Sequence, residues 1–166
     1  MFPTDTVYGI GCRVDDEEAI ARVYALKGRP REKPAALMYF SLGAALAAYP
    51  DLGPDTRAAL ERLLPGPVLV VVPGGQGVRV PALDGPPVGA RVTVVQTSAN
   101  LSGGPDPRRL EEVPGSIRAG ADLVLDGGEL PGGPSTVVDL RGYESGEWAV
   151  LREGAVSRER LATLLD

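Results

Sequence analysis

The chain contains no histidine, and that absence removes several chemistries at once. Imidazole general-base catalysis, Ser-His-Asp triads and His-ligated zinc all need the missing side chain. Cys12 is the only cysteine, which excludes an internal disulfide and a cysteine-rich metal site. With no histidine to activate it, Cys12 reads as a small buried hydrophobe rather than a nucleophile. Lysine is scarce: the 17 basic residues include only Lys27 and Lys33, and Asn100 is the single asparagine. No apolar run approaches the ~20 residues of a membrane span. No basic region followed by a long apolar stretch opens the chain. The expectation is a cytoplasmic protein without membrane contact.

What is present is a chain of 166 residues, 43% hydrophobic, the size of one domain with a sizeable core. The net charge of −5 argues against a generally basic nucleic-acid binder, leaving room only for a local contact with RNA. Short β-rich runs alternate with helical stretches, which reads as an α/β fold with a mixed sheet. Strands are predicted at Val7–Cys12, Ala35–Phe40, Val68–Val72 (central), Gly77–Val80, Arg91–Gln96, Leu123–Leu125, Thr136–Leu140 and Trp148–Leu151. A helix is predicted to start at the acidic run Asp15–Glu18 and stop at Gly28. Others fall near Gly43–Tyr49 and Asp55–Leu64. A last one is capped by Ser157, with Leu161, Leu164 and Leu165 inward.

Chemistry concentrates in a few places. Arg22–Lys33 carries five positive charges and one negative inside an acidic protein. Lys27, Arg29, Arg31 and Lys33 surround Gly28 and Pro30, so they fall on a helix end and a stiff turn. They serve either as a solvated basic loop or as a phosphate clamp. Thr97-Ser98-Ala99-Asn100 follows an apolar run, and polar turns at strand ends are where open α/β sheets place ligands. Pro3-Thr4-Asp5-Thr6 and Gly133-Pro134-Ser135-Thr136 lead into strands with hydroxyls and one carboxylate. Arg79 and Arg152 sit in apolar strand-like runs, either as edge charges or as anion binders. Gly128–Ser135 imitates a P-loop spacing, but Pro134 stands where the lysine belongs, so a Walker A site is excluded. Gly74-Gly75-Gln76-Gly77 reads as a hairpin turn.

Taken in order, six stretches resemble the YrdC-like family, the L-threonylcarbamoyladenylate synthases. They are PTDTVYGIGC (Pro3–Cys12), LKGRPREKP (Leu26–Pro34), GVRVP (Gly77–Pro81), TSANLSG (Thr97–Gly103), PSTVVD (Pro134–Asp139) and LREG (Leu151–Gly154). The resemblance implies a single α/β domain over residues 1–166. Its twisted parallel and antiparallel sheet would be flanked by helices around an open concave cleft. Against the family pattern, the usual N-terminal helix and part of the first strand are expected to be lacking.

The resemblance also implies a nucleotidyltransferase. L-threonine and bicarbonate would form a carbamate that attacks the α-phosphorus of ATP, giving threonylcarbamoyl-AMP and pyrophosphate. Partner proteins would use the product to modify tRNA. By match to the family's motifs, Lys27 and Arg29 are the expected catalytic residues. Lys27, Arg29, Lys33, Ser98, Asn100 and Arg152 are expected to bind ATP, and Thr6, Arg79 and Ser135 to bind L-threonine. Mg2+ would be held mainly through phosphates and water, needing few dedicated protein ligands, and no metal-ligating residue is singled out.

Two features depart from that pattern. Asp84-Gly85-Pro86-Pro87 would break a helix that the family usually has before Thr97. Met38 stands near the place of a histidine that some members carry. Two alternative readings are a double-stranded RNA or tRNA-binding module and a nucleotide-binding paralogue that has lost synthesis. Acidity and the lack of aromatics near the basic segment count against the first.

Overall fold

A computed structural model describes residues 1–85 and 88–165. Its strands are β1 (Phe2–Pro3), β2 (Tyr8–Arg13), β3 (Ala36–Met38), β4 (Val68–Val71), β5 (Gly77–Arg79), β6 (Val94–Ser98), β7 (Thr136–Asp139) and β8 (Ala149–Arg152). They form one sheet in the order β1-β2-β6-β3-β5-β4-β7-β8. The pairs β3–β5 and β4–β7 are parallel and the other neighbours antiparallel, so the sheet is mixed as expected. The helices are α1 (Glu17–Lys27), α2 (Leu42–Ala48), α3 (Pro54–Leu63), α4 (Gly115–Ala119) and α5 (Arg158–Leu165). Among the described residues no helix is long and apolar enough to cross a membrane.

Side-chain alternation along the strands divides the sheet into two faces. Val68, Val70, Val78, Val80, Val138 and Leu140 are buried with Leu60 and Leu63 of α3 and Leu161 and Leu165 of α5. Leu164 is partly buried against the same cluster. The intervening residues of the same strands, Leu69, Val71, Gly77, Arg79 and Val137, line a cavity on the opposite face. A second core gathers Tyr8 and Ile10 of β2, Val23 of α1, and Val113 and Ile117 around α4.

The ends of α1 follow the sequence signals. The Asp16 side chain accepts from the Ala19 backbone N–H at 2.9 Å, and Glu17 and Glu18 occupy the first turn. Gly28 closes the helix at φ +59°, a conformation that costs a Cβ-bearing residue free energy. Gly74 and Gly75, both at positive φ, make the β4–β5 hairpin.

Two predicted strands need correction. Leu123–Leu125 is not a strand. Its backbone makes two hydrogen bonds to Met1, at 2.6 Å and 3.0 Å, without a continuing ladder, and its three side chains are exposed. The strand expected at Arg91–Gln96 runs instead from Val94 to Ser98, so Thr97 and Ser98 end the strand and the turn begins at Ala99. The expected interruption at Asp84-Gly85-Pro86-Pro87 lies partly outside the described residues. No helix occupies 81–85 or 88–93.

Candidate functional site

The cavity occupies about 290 Å³ above β6, β3, β5, β4 and β7. Its floor is apolar (Ala36, Leu69, Val71, Val137), with Gly75 and Gly77 keeping side chains out of the space. Three arginines, Arg29, Arg79 and Arg152, face it against one carboxylate, Asp106, among the described residues. In a protein of net charge −5 this local excess of cations is set for an anionic ligand.

Arg79 is 5% exposed. Its Nη2 donates to the Asp5 carboxylate and, at 2.7 Å, to Thr6 Oγ1. The other Asp5 oxygen accepts from the Ala82 backbone N–H at 2.9 Å, so one carboxylate fixes both the guanidinium and the chain leaving β5. Thr4 Oγ1 donates to Val7 O at 2.7 Å, which leaves Thr6 to donate across the 3.1 Å Thr4–Thr6 contact. Burial lowers the Arg79 pKa and Asp5 opposes the shift. An arginine keeps its charge regardless. Arg79 Nε is buried with no hydrogen-bond partner among the described residues, and Ser135 Oγ is in the same condition. Both residues line the cavity. Buried polar atoms are nearly always paired; the third such atom among the described residues, Thr56 Oγ1 of α3, lies away from the cavity.

Lys27 and Asn100 stand behind Ser98, at the end of β6. Both are buried, and neither lines the cavity. Lys27 Nζ donates to Ser98 O, to Asn100 O at 2.6 Å and to Asn100 Oδ1 at 2.9 Å. Burial, and after it Arg29, lower its pKa to about 8, while Asp106 pulls the other way. Asn100 Oδ1 also accepts from Ser98 Oγ at 2.7 Å, and its Nδ2 donates to Gly104 O at 2.6 Å. Ser98 itself lines the cavity.

The basic segment does not act as one cluster. Arg29 reaches the cavity and bonds its own loop, with Nε to Lys33 O at 2.8 Å and Nη2 to Pro34 O at 3.0 Å. Arg31 and Lys33 are exposed and line none of it. Arg152 lies at the exposed rim and donates to Ser135 O at 2.8 Å.

Of the nine residues singled out in the sequence, Arg29, Arg79, Ser98, Ser135 and Arg152 therefore share one cavity. Thr6 sits one hydrogen bond behind Arg79, Lys27 and Asn100 behind Ser98, and Lys33 lies apart. Met38 is fully buried in register with Arg79 and lines none of the cavity. Cys12 is half-buried, and burial followed by Asp16 raises its pKa, the reverse of an activated thiol. Sequence reasoning missed Asp106 and Gln96 on the wall and the role of Asp5 as the partner of Arg79. The period-2 spacing of Gly77 and Arg79 was an available signal for the open face.

Comparison with known proteins assigns the family. Residues 1–154 match the sequence model of the Sua5/YciO/YrdC family, described as "Telomere recombination". A threonylcarbamoyl-AMP synthase of Sodalis glossinidius is 36% identical over 174 residues, which is 92% of this chain and 87% of that protein. One from Pyrococcus abyssi is 29% identical, over 99% of this chain but 52% of its own length. The chain thus spans about half of that relative. The crystal structure of P. abyssi Sua5 complexed with L-threonine superposes with a TM-score of 0.83 at 28% identity, covering 98% of this chain and 52% of that one. E. coli YciO shares the fold at a TM-score of 0.79 and 24% identity, over 96% of this chain and 84% of its own. The chain belongs to the Sua5/YciO/YrdC family.

Proposed function

We propose that the chain is a threonylcarbamoyl-AMP synthase, using L-threonine, bicarbonate and ATP. The observation that carries this reading is the pair of unpartnered buried atoms, Arg79 Nε and Ser135 Oγ, on a cavity rich in arginine. A carboxylate lying against Arg79 satisfies Nε with a charge-assisted bond and offers Ser135 an acceptor. The amino acid then lies with its carboxylate on Arg79 and its amine toward the nucleotide. Arg29, Ser98 and Arg152 hold the nucleotide along the rim.

The threonine amine, in its unprotonated form, adds to CO2 supplied by bicarbonate. A carbamate oxygen attacks the α-phosphorus of ATP, a new P–O bond forms, and the bond to pyrophosphate breaks. Threonylcarbamoyl-AMP, pyrophosphate and water are the products. No histidine is needed for this, because the barrier falls mainly through alignment and neutralisation of triphosphate charge by fixed arginines. The wall fits a magnesium ion carried in by the nucleotide. Among the described residues no cluster of three metal-ligating side chains exists, and Asp106 is the one carboxylate on the cavity. Mg2+ commonly takes one carboxylate, with phosphate and water as its remaining ligands. The product is a substrate for partner proteins that modify adenosine in tRNA.

Pyrophosphate release measured with each substrate omitted in turn tests the reading. Release is expected only when ATP, L-threonine and bicarbonate are all present. Release without threonine, or none under any condition, overturns it.

A further inference from the structure

Lys27 is 2% exposed and carries three donors for three acceptors, all supplied by the chain. The main chain repeats the connection, since Ser102 N donates to Lys27 O at 2.8 Å. Asn100 spreads the hold further, to Ser98 on one side and Gly104 on the other. Lys27 is also the last residue of α1, and the left-handed turn at Gly28 sends Arg29 to the cavity wall. One ammonium thus joins the end of α1 to the end of β6, the two elements that bring Arg29 and Ser98 to the cavity.

We propose that Lys27 is a positioning residue. It fastens the α1-end wall, with Arg29 and Pro34, to the β6-end wall, with Ser98 and Asp106, and does not touch the nucleotide. A lysine that bound phosphate would have to leave a carbonyl or the Asn100 amide, exposing unpaired acceptors in a dry site. A compact ammonium suits this convergence of three acceptors. A planar guanidinium, with donors splayed in a fixed fork, does not. The inference rests on the reading of the cavity as a nucleotide site, and the test separates the two.

The experiment compares the full wild-type chain with Lys27→Met, Lys27→Arg and Asn100→Ala. Amide hydrogen exchange is measured without ligand, and binding of ATP and of AMP by calorimetry. If Lys27 is a brace, Lys27→Met speeds exchange over Ser98–Gly104 by about tenfold or more, while strands β4 and β7 exchange as before. ATP and AMP weaken by the same factor, on the order of tenfold, because the brace does not count phosphates. Lys27→Arg behaves like Lys27→Met. If Lys27→Met does not fold, Asn100→Ala keeps the ammonium, removes one acceptor, and is expected to loosen the same segment.

Unchanged exchange overturns the proposal. So does loss of ATP binding with AMP binding retained, or full ATP binding by Lys27→Arg, since either places the charge on phosphate. If the wild type binds neither nucleotide, the proposed function fails, while the exchange data still decide the brace.

Discussion

Two side-chain cations are deeply buried among the described residues, Lys27 and Arg79, and they differ in how fully the protein satisfies them. Lys27 has an acceptor for each of its three protons and is screened from the cavity. Arg79, which lines the cavity, is pinned at Nη2 by Asp5 and Thr6, yet its buried Nε has no hydrogen-bond partner among the described residues. Desolvating a donor without pairing it costs about 1–3 kcal/mol, so folding alone does not favour the second arrangement. The roles proposed for the two cations follow that contrast, Lys27 as a brace and Arg79 as a contact for the amino acid.

The largest test of that contrast is Arg79→Ala. It leaves Asp5 buried without its partner, and the expected cost is about 3–5 kcal/mol of stability. Threonine-dependent pyrophosphate release should fall by more than about 100-fold. Arg79→Lys keeps a charge near Asp5 but not the fork. It should recover most of the stability, read as urea midpoint, and little of the activity. Recovery of both would mean that Arg79 acts as a bare charge.

Ser135→Ala sharpens the comparison in the opposite direction. The lost hydroxyl has no partner among the described residues, so the melting temperature should stay level or rise. The KM for L-threonine should increase about tenfold with the KM for ATP unchanged. A clear fall in melting temperature would show that the hydroxyl is satisfied by the protein and is not waiting for a ligand.

The smallest effect concerns Lys27 and pH. Its folded pKa, about 8, lies below the 10.5 of an unperturbed lysine. Between those values the unfolded chain holds a proton that the folded chain has released, so stability rises with pH in that window. The melting temperature of wild type relative to Lys27→Met should climb by a few degrees from about pH 8 to pH 10. A flat difference would mean that the three acceptors hold the proton against the effect of burial.

Much of the fold was legible because it depends on local pattern. β-branched runs at Val68 and Thr136, the acidic start and glycine stop of α1, and the Gly74–Gly75 turn are all decided within a few residues. Leu123–Leu125 was misread because an apolar run signals a strand only when a partner strand lies alongside. Its partner is the backbone of Met1 alone. Five of the nine residues singled out in the sequence share the cavity, but how the others stand to it was not legible. That Lys27 is sealed while Arg29, two positions on, faces the cavity depends on the turn at Gly28 and on carbonyls about 70 positions away. The pairing of Asp5 with Arg79 across 74 positions carries no local signature either.

Those long reaches bear on the order of folding. Lys27 finds its acceptors 71 and 73 positions later, and Arg79 its carboxylate 74 positions earlier. Closing loops of that length is slow compared with forming α1 or the β4–β5 hairpin. A nascent chain that ends before Val94 has neither β6 nor any acceptor for the Lys27 ammonium. A fragment lacking β6 therefore lacks the cavity wall that Gln96, Thr97 and Ser98 supply.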